Sequence, residues 1–345
     1  MNISIRRPFG RWTASRRGGV NLAVILTIVL GAAFIAAIVF LRPSTATPEP
    51  DAGPAVATPE TAAAVLDAAH RMLAEDRVGE AGAVLAEAVR TYPDDAEIRR
   101  MHGDVLMQQE RFGEAYSAYE AVLALGERSA GVEFTAGTLA SMTGQTGRAL
   151  EHFAAAASAE PGNADYALYH GQALIAAGEV DAGRAQLVRA TVIDDSRAVA
   201  WGALAELALR ENKVSLALQH AAKARTLEPE RTAWRVIEAR AATRGGEPQR
   251  ALDVLEGLDD AQRAEPGVLE ALAGAYGMKR EPARAFAAYE RAVRYTTSDP
   301  ALTLEAALWA ERAGEIERAI ELAERAGMLG EARGADLASR LRSRD

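Results

Sequence analysis

The sequence predicts an all-α repeat solenoid of about eight helix-turn-helix units, and three observations carry that prediction. Small residues recur at a 34-residue step, with Ala81, Ala115, Ala149, Gly183, Ala217, Ala251, Ala285 and Ala319 in one register. A parallel column holds Ala69, Gly103, Gly137, Gly171, Ala205, Ala239, Ala273 and Ala307. Alanine and glycine make up about three residues in ten, so chance fills one eight-place column with a probability of about one in ten thousand. Larger apolar residues follow the first column by four places, at Leu85, Tyr119, Phe153, Leu187, Leu255 and Tyr289. Three places further stand Ala88, Val122, Ala156, Ala190, Ala224, Leu258, Ala292 and Ala326. Spacing of four and then three lies on one face of a helix. A repeat of this kind buries a continuous core only by stacking, and it predicts binding as the function.

Two helices of about 12 to 14 residues and two short turns fill one period, with a small residue wherever the helices cross closely. The units start near residues 62, 96, 130, 164, 198, 232, 266 and 300, which makes 61–333 the predicted solenoid. Gly144, Gly178, Asn212, Gly246 and Gly314 fall at the turn between helices, and Pro93, Pro161 and Pro229 stop the second helix of their units. Some units depart from the pattern without losing phase. The fourth has Gly183 and Asp195, the second has Glu127 in the proline place, and Pro248 and Pro282 sit in inter-helix turns. Residues 334–345 form a tail in which Leu337 and Leu341 share one helical face, suited to capping the last unit.

Trp201, Leu204, Ala205, Ala217, Ala224 and Pro229 together resemble the tetratricopeptide repeat signature. So do Gly137, Gly144, Ala149, Phe153, Ala156 and Pro161. The resemblance covers about residues 62–333. It implies a right-handed superhelix that binds segments of partner proteins, and it says little about which partner.

The other end of the chain has a different character. Val20 to Leu41 is a run of 22 residues without a charge. At 1.5 Å per residue it spans about 33 Å, enough to cross a bilayer core. Arg6, Arg7, Arg11, Arg16 and Arg17 precede it, while Arg42 alone follows closely. This bias predicts a cytoplasmic segment at 1–19, a single transmembrane helix at 20–41 and a solenoid outside the cytosol, which is the periplasm in a bacterium. A cleaved signal peptide is the competing reading, although its apolar core is usually shorter. Arg6-Arg7-Pro8-Phe9 also partly resembles a twin-arginine export signal. Ala23, Thr27 and Gly31 form a small-residue stripe of the type that lets membrane helices pair, so self-association is a further expectation. Residues 42–60 contain five prolines among small and acidic residues and predict a semi-extended spacer.

The formal net charge is −9, and residues 1–19 contribute five arginines without an acid. The remainder is therefore strongly acidic, the opposite of a nucleic-acid binder's field. With no cysteine, neither a disulfide framework nor a thiolate metal site is available.

The resemblance implies that the first helix of each unit lines a concave groove, chiefly through its second, fifth, ninth, twelfth and thirteenth positions. The lysine- and asparagine-rich set that clamps chaperone C-termini in this family is absent. The three lysines, Lys213, Lys223 and Lys279, fall elsewhere. Arg210, Arg240 and Arg244 occupy inward positions of adjacent units, where guanidinium forks suit a carboxylate or acidic peptide. Ion pairing with Glu206 is the competing role. Phe134 and Tyr169 are the better candidates for an apolar platform, with Met107, Met142 and Leu168 nearby in sequence position, of which packing accounts better for Leu168 and Met107. Gln172 holds the ninth position of the fourth unit.

No catalytic, cofactor-binding or metal set is expected. His70, His102, His152, His170 and His220 show no ligand spacing, and no glycine-rich phosphate loop occurs. The pairs Asp94-Asp95, Asp194-Asp195 and Asp259-Asp260 fall at predicted loops, where aspartate favours turns and helix N-caps. Two functions follow. One is a membrane-anchored adaptor holding client segments in its groove, in secretion, cytochrome maturation or envelope assembly. The other is a structural organiser acting through its anchor and convex face.

Overall fold

Helix boundaries in this chain are set by punctuation that recurs with the repeat. The computed structural model describes residues 61–343. The basic segment, the transmembrane helix at 20–41 and the linker expected at 42–60 lie outside the described residues. No helix among the described residues is long and apolar enough to cross a membrane.

The first helices are α1 (Ala62–Ala74), α3 (Ala96–Gln108), α5 (Ala130–Met142), α7 (Ala164–Ala176), α9 (Ala198–Arg210), α11 (Thr232–Arg244), α14 (Pro266–Met278) and α16 (Pro300–Ala313). The second helices are α2 (Val78–Thr91), α4 (Phe112–Ala124), α6 (Thr146–Ala159), α8 (Val180–Ile193), α10 (Val214–Leu227), α12 (Pro248–Glu256), α15 (Pro282–Tyr295) and α17 (Ile316–Met328). A one-turn helix α13 (Asp260–Arg263) follows the shortened α12, and α18 (Ala332–Arg342) ends the array. No strand occurs among the described residues.

Side chains cap most first helices. Thr61, Asp95, Ser129, Asn163 and Asp299 each accept a hydrogen bond from a backbone N–H of the first turn. Proline at the first position starts α12, α14, α15 and α16, where its missing N–H costs nothing. Of the paired aspartates, Asp95 caps α3, Asp259 caps α13 in a reciprocal box with Gln262, and Asp194 accepts from Ser196. These are structural uses.

Every first helix ends in the same way. Asp76, Glu110, Gly144, Gly178, Asn212, Gly246, Arg280 and Gly314 all adopt positive φ, one per repeat. In each case the following N–H reaches back five residues, as from Arg77 to Met72 and from Glu281 to Tyr276. This left-handed closure satisfies carbonyls that the helix end would leave bare. Glycine suits it; Asp76, Glu110 and Arg280 hold it under strain.

The two columns of small residues are the contact line within each pair. The alanines of both columns are at most 3% exposed. Where the second column holds glycine, a bulky neighbour uses the space. A Cβ on Gly103 would stand 2.9 Å from the Tyr119 ring, and one on Gly137 would stand 2.9 Å from Phe153. Gly183, a departure from the alanine pattern, has its own reason. A Cβ there would lie 2.7 Å from the Gly171 carbonyl, so α7 and α8 approach backbone to backbone. At the C-terminal end, Leu337 and Leu341 of α18 enter the core beside Ala319, Leu322 and Ala326 and close the apolar edge. This cap helix starts at Ala332, two residues before the boundary expected at 334.

Two substitutions test this account by urea unfolding. Gly183→Ala should destabilise the fold by about 1–3 kcal/mol, because a backbone carbonyl cannot move aside. Arg280→Gly should stabilise it by about 0.5–1 kcal/mol, through relief of the left-handed strain net of added chain entropy.

Candidate functional site

First helices of neighbouring repeats touch one another directly at the α1–α3, α9–α11 and α11–α14 junctions. Arg240 on α11 donates to Glu206 on α9 at 2.8 Å, exactly one period apart in sequence numbering. Arg244 donates to the carbonyl of Leu209. The ring of Trp234 on α11 covers Gly202 on α9, where an added Cβ would come within 2.0 Å. Repeats stack chiefly through each second helix against the next first helix, and side chains of adjacent first helices add to this along one layer. The ninth and thirteenth positions lie along that layer.

The three arginines expected to grip a carboxylate are not equivalent. Arg240 is held by Glu206, and Arg244 is turned onto a backbone carbonyl. Arg210 is exposed and has no hydrogen-bond or ion-pair partner among the described residues. The structure thus brings these residues to two adjacent helices and leaves one guanidinium unengaged. Nearby, loss of hydration against this layer raises the Glu270 carboxyl above its ordinary range, and Asp299 adds to the effect while Arg240 opposes it.

Aromatic rings gather at the third and fourth repeats. Phe134 on α5 lies 5.0 Å from both Tyr166 and Tyr169 of α7, edge-on to Tyr169 at 83°. Phe153 completes the group at 5.7 Å from Phe134 and from Tyr169. Such tilted and edge-to-face contacts are favourable beyond the area they bury. Burial pushes the Tyr169 hydroxyl up to about 12, with the Asp165 charge adding to the effect. Of the other expected platform members, Leu168 is 3% exposed within the core, Met107 packs against the core and Met142 is exposed.

Gln172 lies deeper than its sequence position suggests. It is 8% exposed, and its Oε1 is buried without a hydrogen-bond partner. An unsatisfied buried oxygen costs about 1–3 kcal/mol.

Sequence position missed two features. Tyr166 occupies the third place of α7, outside the positions assigned to the groove, yet it joins the aromatic group. Its signal was the one-turn spacing from Tyr169. The second is a buried polar cluster joining repeats two and three. His152 Nδ1 lies 2.8 Å from Glu133 Oε2, and its Nε2 lies 3.1 Å from Glu120 Oε1. Arg128 pairs with the other Glu133 oxygen at 3.2 Å. Elsewhere in this column stand Val84, Ala118, Gln186, His220, Val254, Ala288 and Leu322, so the polar members His152, Gln186 and His220 were the signal that the period offered. Among the described residues no group of three or more histidines and carboxylates is placed to hold a metal. His152→Ala should destabilise the fold by roughly 2–4 kcal/mol, since it strips a partner from a carboxylate that is 4% exposed. The shift in urea midpoint measures it.

Models of the tetratricopeptide repeat match residues 60–130 and 140–207. No curated protein matches the sequence. A tetratricopeptide repeat protein from Parabacteroides merdae aligns at 17% identity over 72% of this chain and 98% of its own, with a TM-score of 0.59. The APC/C heterotetramer Cut9-Hcn1 gives 13% identity and a TM-score of 0.57 over 81% of this chain. Yeast Tom70 gives 15% identity and 0.54 over 79%. This chain spans 56% and 60% of those two proteins. At these identities the likeness concerns the fold. The chain carries tetratricopeptide repeats, stacked as an all-α solenoid of helix pairs.

Proposed function

We propose that this protein is a membrane-tethered scaffold whose solenoid holds linear segments of partner proteins in the cell envelope. Tetratricopeptide repeats generally act in protein–protein interaction. The observation that carries the reading is the layer of first helices, which bears an unengaged Arg210 on α9 and the half-buried rings of Phe134, Tyr166 and Tyr169 on α5 and α7. Tether and compartment rest on sequence alone. The uncharged run from Val20 to Leu41, with arginines concentrated before it, supports a single-pass anchor in the cytoplasmic membrane and a solenoid on the far side. Secretion, cytochrome maturation and envelope assembly all fit this layout. Acidic charge argues against nucleic acid as the partner.

A second reading has its own observation. On the second helices, Val188 and Val192 are 45% and 78% exposed, one turn apart on α8, and Leu216 on α10 is 44% exposed. Exposed apolar residues of this kind suit an organiser that assembles a complex through its outer face.

Photo-crosslinkers placed in cells at Tyr169, Arg240 and Val192 separate the two. The scaffold yields adducts to other proteins from Tyr169 and Arg240. Adducts from Val192 alone would replace it with the organiser. Alkaline phosphatase fused after Ala335 should be active, because it matures only outside the cytosol; an inactive fusion made in full amount would reverse the topology.

A further inference from the structure

We infer that Gln172 is a main-chain recognition group, and that repeats three and four bind an extended, uncharged peptide segment bearing a bulky apolar side chain. This rests on the groove reading above and narrows it to one place and one ligand chemistry.

The ninth position of the first helices sets Gln172 against its counterparts in neighbouring repeats. From repeat two to repeat six this position holds Asp104, Thr138, Gln172, Glu206 and Arg240. Four of the five are engaged. Asp104 accepts from the Tyr119 hydroxyl and lies 3.6 Å from Arg100. Thr138 donates to the Phe134 carbonyl at 3.0 Å, and Glu206 pairs with Arg240. Gln172 alone has no partner, although it is more than nine-tenths buried. A side-chain amide carries an acceptor and donors on one plane and matches the N–H and C=O of an extended chain. As the amide stands, its inner oxygen lacks a mate.

The surroundings say what else the segment carries. Tyr169 lies one turn before Gln172 on the same stripe of α7. The hydroxyls of Tyr166 and Tyr169 have no hydrogen-bond partner among the described residues, and Phe134 stands edge-on to Tyr169. These rings offer apolar surface with polar rims, which suits a large apolar side chain flanked by main chain. Charge excludes an acidic ligand at this place. The guanidinium groups nearby are already taken: Arg197 pairs with Asp165 at 3.0 Å, and Arg231, whose charge acts on Tyr169, pairs with Glu228 at 3.2 Å. A ligand carboxylate would meet no free cation and would face Asp165. The unengaged Arg210 belongs to the next repeat, so an acidic segment would bind there instead.

One consequence is unusual for a binding residue. If Gln172 is kept for a ligand, it should weaken the unliganded fold, and Gln172→Leu should stabilise the protein while impairing recognition. The test selects a phage-displayed library of random dodecapeptides on the purified full chain. Enriched peptides are then measured by fluorescence anisotropy against variants. Peptides sharing a bulky apolar residue should dominate. Gln172→Leu should weaken them at least tenfold and raise Tm by about 2 °C or more, and Tyr169→Ala should also weaken them. Binding within twofold of the parent in Gln172→Leu, or a lowered Tm, overturns the inference. An acidic consensus lost in Arg210→Glu and unmoved by Gln172→Leu sinks it while leaving the groove reading intact. No enrichment above an unrelated control protein sinks both.

Discussion

Everything in this fold depends on the close approach of two helices within each repeat. That approach is possible only where side chains are small, and the small residues stand one period apart on each helix. Where glycine replaces alanine, a large partner uses the gap, as Tyr119 does at Gly103 and Phe153 at Gly137. In the fourth repeat the gap is used by backbone, with Gly171 and Gly183 facing each other. Large residue and small residue are therefore chosen together. Dense packing leaves few other ways to fill the line between two helices.

A pair of helices cannot bury both of its faces, so each repeat depends on the next. The contacts that join repeats are more varied than those inside them. Trp234 lies over Gly202, Arg240 holds Glu206, and a buried histidine links Glu120 to Glu133 across the junction of repeats two and three. These contacts run through the first helices or beside them, and they decide which groove side chains remain available. An arginine bonded to a neighbouring carboxylate stabilises the stack and is withdrawn from any ligand. Arg210 and the Gln172 amide are among the groups that nothing in the stack engages, with Gln186 Oε1, His220 Nδ1 and Thr243 Oγ1. On the proposed scaffold reading, recognition falls to groups that packing leaves unsatisfied.

Much of this was legible in the chain before any coordinates. Gly144, Gly178, Asn212, Gly246 and Gly314 mark the turn, since left-handed backbone favours glycine and asparagine. Asp76, Glu110 and Arg280 share that conformation and gave no such signal, because there the period and the pull of the closed turn outweigh the residue's own preference. The short α12 with its extra turn α13 was equally hidden, for the sequence keeps its 34-residue step straight through that region. Groove residues were harder. Arg240 and Glu206 are inward by position, but only their separation in space tells a pair from a clamp.

By itself the sequence determined the class of fold, the period, the number of units and the capping role of Leu337 and Leu341, because periodic burial writes itself into residue spacing. Tertiary structure decided which groove groups are spent and which are free. Gln172 and Thr138 hold the same position in adjacent repeats, and one is satisfied by its own helix while the other is buried without a partner. Thr138 reaches a carbonyl of its own helix, whereas the burial of Gln172 comes from the packing around it, and spacing along one chain carries no record of that.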